Sequence, residues 1–294
     1  MKNMLFYLIT VLIWGSTWIG IKLQLGIVDP VVSVTYRFTL AAFILLIWCR
    51  VRGLNMRFSL QEHAFMFLLG VLLFGFNYLL FYIAELYVAS GLAAVIFSTI
   101  VLMNIVNGAI FLKTPIHGRV VIGGLFGLLG IVLVFKNEIY SFSLDNTGFT
   151  GFVLCLGATL LASLGNIVSA RNQKNNLPIV QTNAYGMGYG ALVMLLVTML
   201  TGKSFDFVLS YQYVGSLLYL AFFGSVIAFG CYLTLVGNIG ADRAAYATLL
   251  FPIVALVIST IWEDYHWSVS SASGVGLIIF GNLVVLKKFS LMAK

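Results

Sequence analysis

GADRAAYATLLFPIVALVISTIWE, residues 240–263, opens beside a charged pair, Asp242 and Arg243, and closes on an acidic one, Glu263 and Asp264. Between them lies an apolar run of the length a bilayer requires, about 20 residues. Pro252 sits within it, lacks an N–H and is expected to bend the helix by freeing the carbonyl of Thr248. The same pattern stands 151 residues upstream as ASGLAAVIFSTIVLMNIVNGAIFL, residues 89–112. Ala244-Ala245 falls on Ala93-Ala94. The register then holds without a gap, so that Gly274 falls on Gly123 and Gly281 on Gly130. Leu177-Pro178-Ile179 echoes Asp29-Pro30-Val31 at a shift of 148. The chain is two related halves.

Composition excludes a soluble protein. Of 294 residues 61% are hydrophobic and 9% charged, where a soluble domain carries about 25% charged residues. Mean hydropathy is +1.06. Cys49, Cys155 and Cys231 all lie in apolar runs, which points to packing residues and away from a disulfide framework. The net charge of +7 is not gathered in one patch, so it speaks for topology and not for nucleic acid.

Charge-free stretches mark the spans. They lie between Lys2 and Lys22, from Pro30 to Arg50, His63 to Glu85, Glu85 to Lys113, and Arg119 to Lys136. The second set runs from about Phe149 to Arg171, Pro178 to Thr201, within Asp206–Asp242, Gly240 to Glu263, and Ser271 to Lys287. The fold class expected is an all-α polytopic membrane protein with ten transmembrane helices, five in residues 1–145 and five in 146–294. Lysines and arginines choose the orientation. With the N-terminus in the cytoplasm, Arg50, Arg52, Arg57, Lys113, Arg119, Arg171, Lys174 and Arg243 all face inward. Asp29, Glu85, Glu138, Asp145, Asp206, Glu263 and Asp264 gather on the other side. Both termini are then inside. Five helices per half is an odd number, so the second half enters upside down. An inverted repeat is the signature of alternating access, with a substrate site near mid-membrane between the repeats.

Thr10–Lys22, TVLIWGSTWIGIK, and Gly240–Trp267 together with the two five-helix halves resemble the EamA branch of the drug/metabolite transporter superfamily. The resemblance covers nearly the whole chain. It implies a multi-pass carrier of the inner (plasma) membrane, in a family with many exporters of amino acids, other metabolites or toxic compounds. The first half departs from the pattern, with Val101 where a proline would stand and Lys113 where an acidic residue would close the helix.

Polar groups within the hydrocarbon are informative because each needs a partner there. Arg37, about two turns into the second span, contacts an anion or carboxylate, or else snorkels outward or pairs with a carboxylate such as Glu85 or with a helix-end carbonyl. Asn77 and Phe81 share one face of the third span, and Tyr78, Tyr82 and Glu85 another. This aromatic stripe with polar tips suits a pocket wall for an amphipathic solute, and equally packing or an interfacial belt. The resemblance implies that the outer half of this helix lines the central cavity. Trp14, Ser98, Asn166, Tyr232 and Tyr246 complete the candidate substrate-binding set, with Arg37, Glu85 and Pro252 for gating or coupling. The glycines 123, 127, 130, 274 and 281 read as close helix contacts.

His63, His117 and His266 fall at helix ends without ligand spacing, so no metal site or other cofactor is expected. An enzyme within the membrane would need a catalytic constellation at depth, such as a serine with a histidine, and the histidines are not at depth. The expectation is a carrier of small metabolites, amino acids or amphipathic compounds, working outward in the bilayer without a nucleic-acid partner. A multidrug or toxic-compound exporter, and a non-transporting scaffold or channel, remain the alternatives. Oligomeric state stays open between monomer and homodimer.

Overall fold

The computed structural model describes residues 2–88, 90–141, 146–251, 253–254, 257 and 267–286. Among these the chain is all-helical, and ten helices carry the architecture. In the first half these are α1 (Lys2–Lys22), α2 (Pro30–Val51), α3 (Leu60–Ala84), α4 (Ser90–Phe97 continuing as Ile100–Leu112) and α5 (Gly118–Val134). In the second half they are α6 (Asn146–Lys174), α7 (Ile179–Leu200), α8 (Tyr211–Ile239), α9 (Ala241–Ala244 continuing as Ala245–Leu250 and beyond) and α10 (Val269–Leu286). Seven of the described helices are long and apolar enough to cross a membrane, and Gly118–Val134 and Val269–Val285 are shorter apolar helices. A short helix, Lys136–Ser141, follows α5. Pro252, Glu263 and Asp264 lie outside the described residues, and the expected kink with them.

Local chemistry explains where several helices begin. Asp29 caps α2 by accepting from Val31 N, with Pro30 in the first turn where a missing N–H costs nothing. Ser59 and Glu62 form a reciprocal capping box at α3: Ser59 Oγ accepts from Glu62 N, and the Glu62 carboxylate from Ser59 N. Ser59→Ala should lower stability by about 1 kcal/mol, read as a small fall in melting temperature with transport intact.

The helices pair by a rule that exchanges the two halves. α2 packs on α7, α5 on α10 and α4 on α9, while α1 packs on α8 as α6 packs on α3. The closest pairs meet at glycines. A Cβ on Gly130 would lie 2.5 Å from the Gly274 carbonyl oxygen, and one on Gly281 would lie 2.5 Å from that of Gly123. The earlier glycine of α5 thus meets the later one of α10, so these helices run antiparallel. α2 and α7 do likewise, with Thr35 beside Thr198 and Ala42 beside Gly188. The four helices α2, α5, α7 and α10 form the outer scaffold. The other six meet in the middle.

Those inner helices include the irregular ones. α3 widens to a π-helix over Gly70–Phe76 and α8 over Leu220–Ile227. The two widenings stand at matching places in the halves, each holding a Phe-Gly pair, Phe74-Gly75 and Phe223-Gly224. α9 tightens to a 3-10 helix over Ala245–Leu250. α4 breaks between Phe97 and Ile100, where Ser98, Thr99 and Val101 bond to carbonyls three residues back. The first half therefore interrupts its helix with Val101 in place of a proline. Departures of this kind in a membrane leave backbone groups that must be satisfied by protein or line a cavity, and π segments in particular concentrate at functional sites.

Candidate functional site: a central cavity between the halves

At the centre lies a cavity with about 70 Å³ open to water centres, room for about five waters at the 10–15 Å³ that each requires. α1 contributes Trp14, Thr17 and Ile21, α3 Leu73, Asn77, Tyr78 and Phe81, and α4 Phe97 and Ile100. From the second half come Ala162 and Asn166 of α6, Phe229 and Tyr232 of α8, and Thr248 and Phe251 of α9. The contributing helices are counterparts: α1 with α6, α3 with α8, α4 with α9. Among the described residues the scaffold helices contribute nothing to the wall.

Trp14 is the aromatic hub. Its ring centroid lies 4.8 Å from that of Phe229, 4.9 Å from Tyr232 and 5.5 Å from Phe251, within the range of favourable edge and tilted contacts. The indole N–H donates to the Gly224 carbonyl at 3.0 Å, inside the π segment of α8. Asn77 Nδ2 donates to the Ala158 carbonyl at 2.7 Å, tying α3 to α6. Asn166 Nδ2 donates to the Tyr232 hydroxyl at 3.0 Å, and Asn166 Oδ1 is buried without a partner. Thr17 and Thr248 spend their hydroxyls on carbonyls of their own helices. The wall is therefore mainly aromatic and aliphatic with a few polar tips, a composition suited to amphipathic solutes.

Six of the nine residues picked from sequence share this wall: Trp14, Asn77, Tyr78, Phe81, Asn166 and Tyr232. Three stand elsewhere. Tyr82 is buried and donates to Gln24 Oε1 at 2.9 Å. Ser98 is buried at the break in α4. Tyr246 packs over Gly124 of α5 and donates to the Val120 carbonyl. Phe229 and Phe251 were not among the candidates, although Phe229 shares a helix face with Tyr232, three residues on.

Arg37 stands one side chain behind the wall. It is fully buried, so it does not snorkel. Among the described residues no carboxylate forms an ion pair with it, Glu85 included. Nε donates to Ser225 Oγ at 3.0 Å, and the guanidinium carbon sits 4.5 Å from the Tyr78 ring centroid and 5.4 Å from that of Phe38. Ser225 belongs to the π segment, and Gly224 beside it leaves room for Nη2, since a Cβ there would lie 3.2 Å from that atom. Removing a cation from water costs several kcal/mol. Against this, a desolvated cation–π contact supplies about 2 kcal/mol and a charged hydrogen bond about 1.5–3 kcal/mol. The Tyr78 and Tyr82 hydroxyls lie within hydrogen-bonding reach of the guanidinium, and among the described residues Nη1 has no partner. The Glu85 carboxylate is also buried without a hydrogen bond, at the end of α3 within electrostatic reach of Lys22, Tyr82 and Cys155.

A second cavity, about 280 Å³, lies directly beyond the first. Asn104, Gly108, Ile167, Ala170, Gln173, Lys174, Val236, Ala241 and Asp242 are among its lining. On α4 and α8 its wall starts one turn past that of the central cavity, Asn104 after Ile100 and Val236 after Tyr232. The layer between them holds the Asn166–Tyr232 bond, and Asn104 Nδ2 donating to the Ala241 carbonyl at 3.0 Å.

The profile of the EamA-like transporter family matches residues 1–136 and again 149–287. The chain belongs to the EamA-like transporter family. It is thus a multi-pass membrane transporter in a family of carriers, not enzymes. It is 27% identical to the uncharacterized inner membrane transporter YedA of Escherichia coli K12, over 96% of this chain and 90% of YedA. To protein PagO of Salmonella typhimurium it is 25% identical, over 94% of this chain and 88% of PagO. To the probable amino-acid metabolite efflux pump of Escherichia coli K12 it is 22% identical, over 95% and 93%. A crystal structure with 16% sequence identity superposes with a TM-score of 0.80 over 99% of each chain and shows the same fold for this EamA-like transporter.

Proposed function

We propose that this chain is an alternating-access carrier that moves small amphipathic metabolites, amino acids among them, outward across the inner membrane. Residues 1–145 and 146–294 are the two inverted units that rock about the central cavity. The observation that carries this is the origin of the cavity wall: matched helices from both halves, with α3, α4, α8 and α9 widened, broken or tightened near the site, and antiparallel packing of α5 on α10. That is the arrangement expected where two inverted repeats enclose a mid-membrane substrate site. The loop lysines and arginines favour both termini inside, which makes the cavity beside Lys174 and Asp242 the cytoplasmic vestibule. The names of YedA and of the metabolite efflux pump lend support to the membrane and the direction.

The test is a flux screen. Purified protein in liposomes is offered amino acids and related metabolites at two pH gradients. Saturable flux of one class is the expected result, reduced at least tenfold by Asn77→Ala with folded protein retained. If flux follows the pH gradient, Glu85→Gln is expected to abolish that dependence. Flux confined to bulky cationic drugs selects the multidrug alternative, and no saturable flux of any solute selects the scaffold or channel.

A further inference from the structure

We infer that the transported solute carries a carboxylate and that Arg37 is the residue that binds it, a statement that rests on the carrier reading above. The guanidinium is fully buried in the middle of the bundle, and no carboxylate of the described chain pairs with it. Among the described residues Nη1 has no acceptor. Two of the residues around it, Tyr78 and Thr17, line the central cavity: the Tyr78 ring lies 4.5 Å from the guanidinium, and Thr17 shares the space above Gly224 with Nη2. Ser225 holds Nε from the opposite side and the Tyr78 and Tyr82 hydroxyls lie within hydrogen-bonding reach of the guanidinium, which leaves Nη1 as its atom without an acceptor among the described residues. A buried guanidinium held at Nε and short of an acceptor at Nη1 matches a carboxylate, which it takes through a charge-assisted N–H···O bond.

The rest of the cavity supports an acid with an apolar body. Among the described residues no carboxylate side chain lines it. Trp14, Phe81, Phe97, Phe229 and Phe251 offer an aromatic chamber in front of the charge. An aromatic or large aliphatic acid spans both features: its body sits among the rings, and its carboxylate reaches Arg37 past Tyr78. Lipid phosphate is poorly placed to substitute, because the guanidinium is closed off within the bundle.

Four probes of one body size decide the matter: L-phenylalanine, 3-phenylpropionate, L-phenylalaninamide and phenethylamine. The first two have the carboxylate, the last two do not. Binding to the purified full-length protein is measured by isothermal calorimetry, and flux in liposomes. The two acids are expected to bind at least tenfold more tightly than the two probes without a carboxylate. In Arg37→Gln that ratio should fall to near one, and in Arg37→Lys part of it should remain. If Arg37→Gln does not fold, the probe series on the unmodified protein still decides. Amide or amine binding as tightly as acid overturns the inference and leaves the carrier reading standing. So does saturable flux confined to solutes without a carboxylate. Absence of saturable flux for every solute tested overturns the carrier reading and the inference with it.

Discussion

Gly274→Val is expected to abolish the folded protein, while Gly276→Val, two residues along the same helix, leaves it intact. The contrast follows from what each new Cβ would meet. At Gly274 it would lie 2.5 Å from the Gly130 carbonyl oxygen and 2.9 Å from the Val134 amide nitrogen, both backbone atoms that cannot rotate away. At Gly276 nothing stands within 4 Å. A valine at Gly274 must therefore push α10 off α5, and these two helices pack along most of their length. Overpacking costs about 1–3 kcal/mol per site. Here the push also breaks close backbone packing, the chief source of helix attraction in lipid, so the effect falls at or beyond the upper end. By the symmetry of the crossing, Gly281→Val should behave like Gly274→Val, because its Cβ would sit 2.5 Å from the Gly123 carbonyl oxygen. Size-exclusion chromatography in mild detergent reads the outcome: an aggregated profile for Gly274→Val and Gly281→Val, a single sharp peak for Gly276→Val. A sharp peak for all three would mean that the glycine crossing does not hold the halves together.

This crossing shows how far the sequence carries. The repeat at 151 residues places Gly274 on Gly123 and Gly281 on Gly130, and that correspondence is visible in the letters alone. The contact is not. In space Gly123 meets Gly281 and Gly130 meets Gly274, the exchange that two counterpart helices make when they run in opposite directions. Span boundaries were equally readable, since charge marks where a helix leaves the bilayer. The π segments of α3 and α8 were not, because periodicity over seven or eight mostly apolar residues cannot separate α from π winding. Nor was the break in α4. The proline of α9 has no counterpart in α4, yet α4 breaks at Ser98 and Thr99.

The site was partly readable for a similar reason. Residues such as Asn77 and Asn166 announce themselves by polarity at depth. Phe229, Phe251 and Ile100 do not, since an apolar side chain at the wall of a cavity looks like one facing lipid or core. Tyr246 carries the same polar tip as Tyr232, but its helix turns it toward the backbone of α5, where the Val120 carbonyl takes its hydroxyl. Arg37 was visible as an anomaly. The alternatives of snorkelling and of a Glu85 partner are removed only by its complete burial and by the π segment that brings Ser225 to Nε.

Tyr232→Ala is expected to join the two cavities into one open path. Tyr232 is buried and stands between them, its hydroxyl held by Asn166 and its ring against Trp14. Removing a buried aromatic ring leaves a void, at a cost on the order of 3 kcal/mol, and here the void falls in the layer that separates the cavities. A cysteine placed at Ala162, on the central wall, reports the change in a chain whose Cys49, Cys155 and Cys231 are replaced by alanine. A membrane-impermeant thiol reagent is applied from the side of Lys174 and Asp242, cytoplasmic in the orientation proposed. Ala162→Cys should label slowly in the parent and at least tenfold faster with Tyr232→Ala. Ala170→Cys, in the vestibule, should label at similar rates in both. Tyr232→Phe keeps the ring and loses only the hydrogen bond from Asn166, about 1 kcal/mol, so its labelling rate should stay near the parent's. If Ala162→Cys already labels as fast as Ala170→Cys in the parent, the layer of Asn104, Asn166 and Tyr232 is no barrier, and the inward closure lies elsewhere.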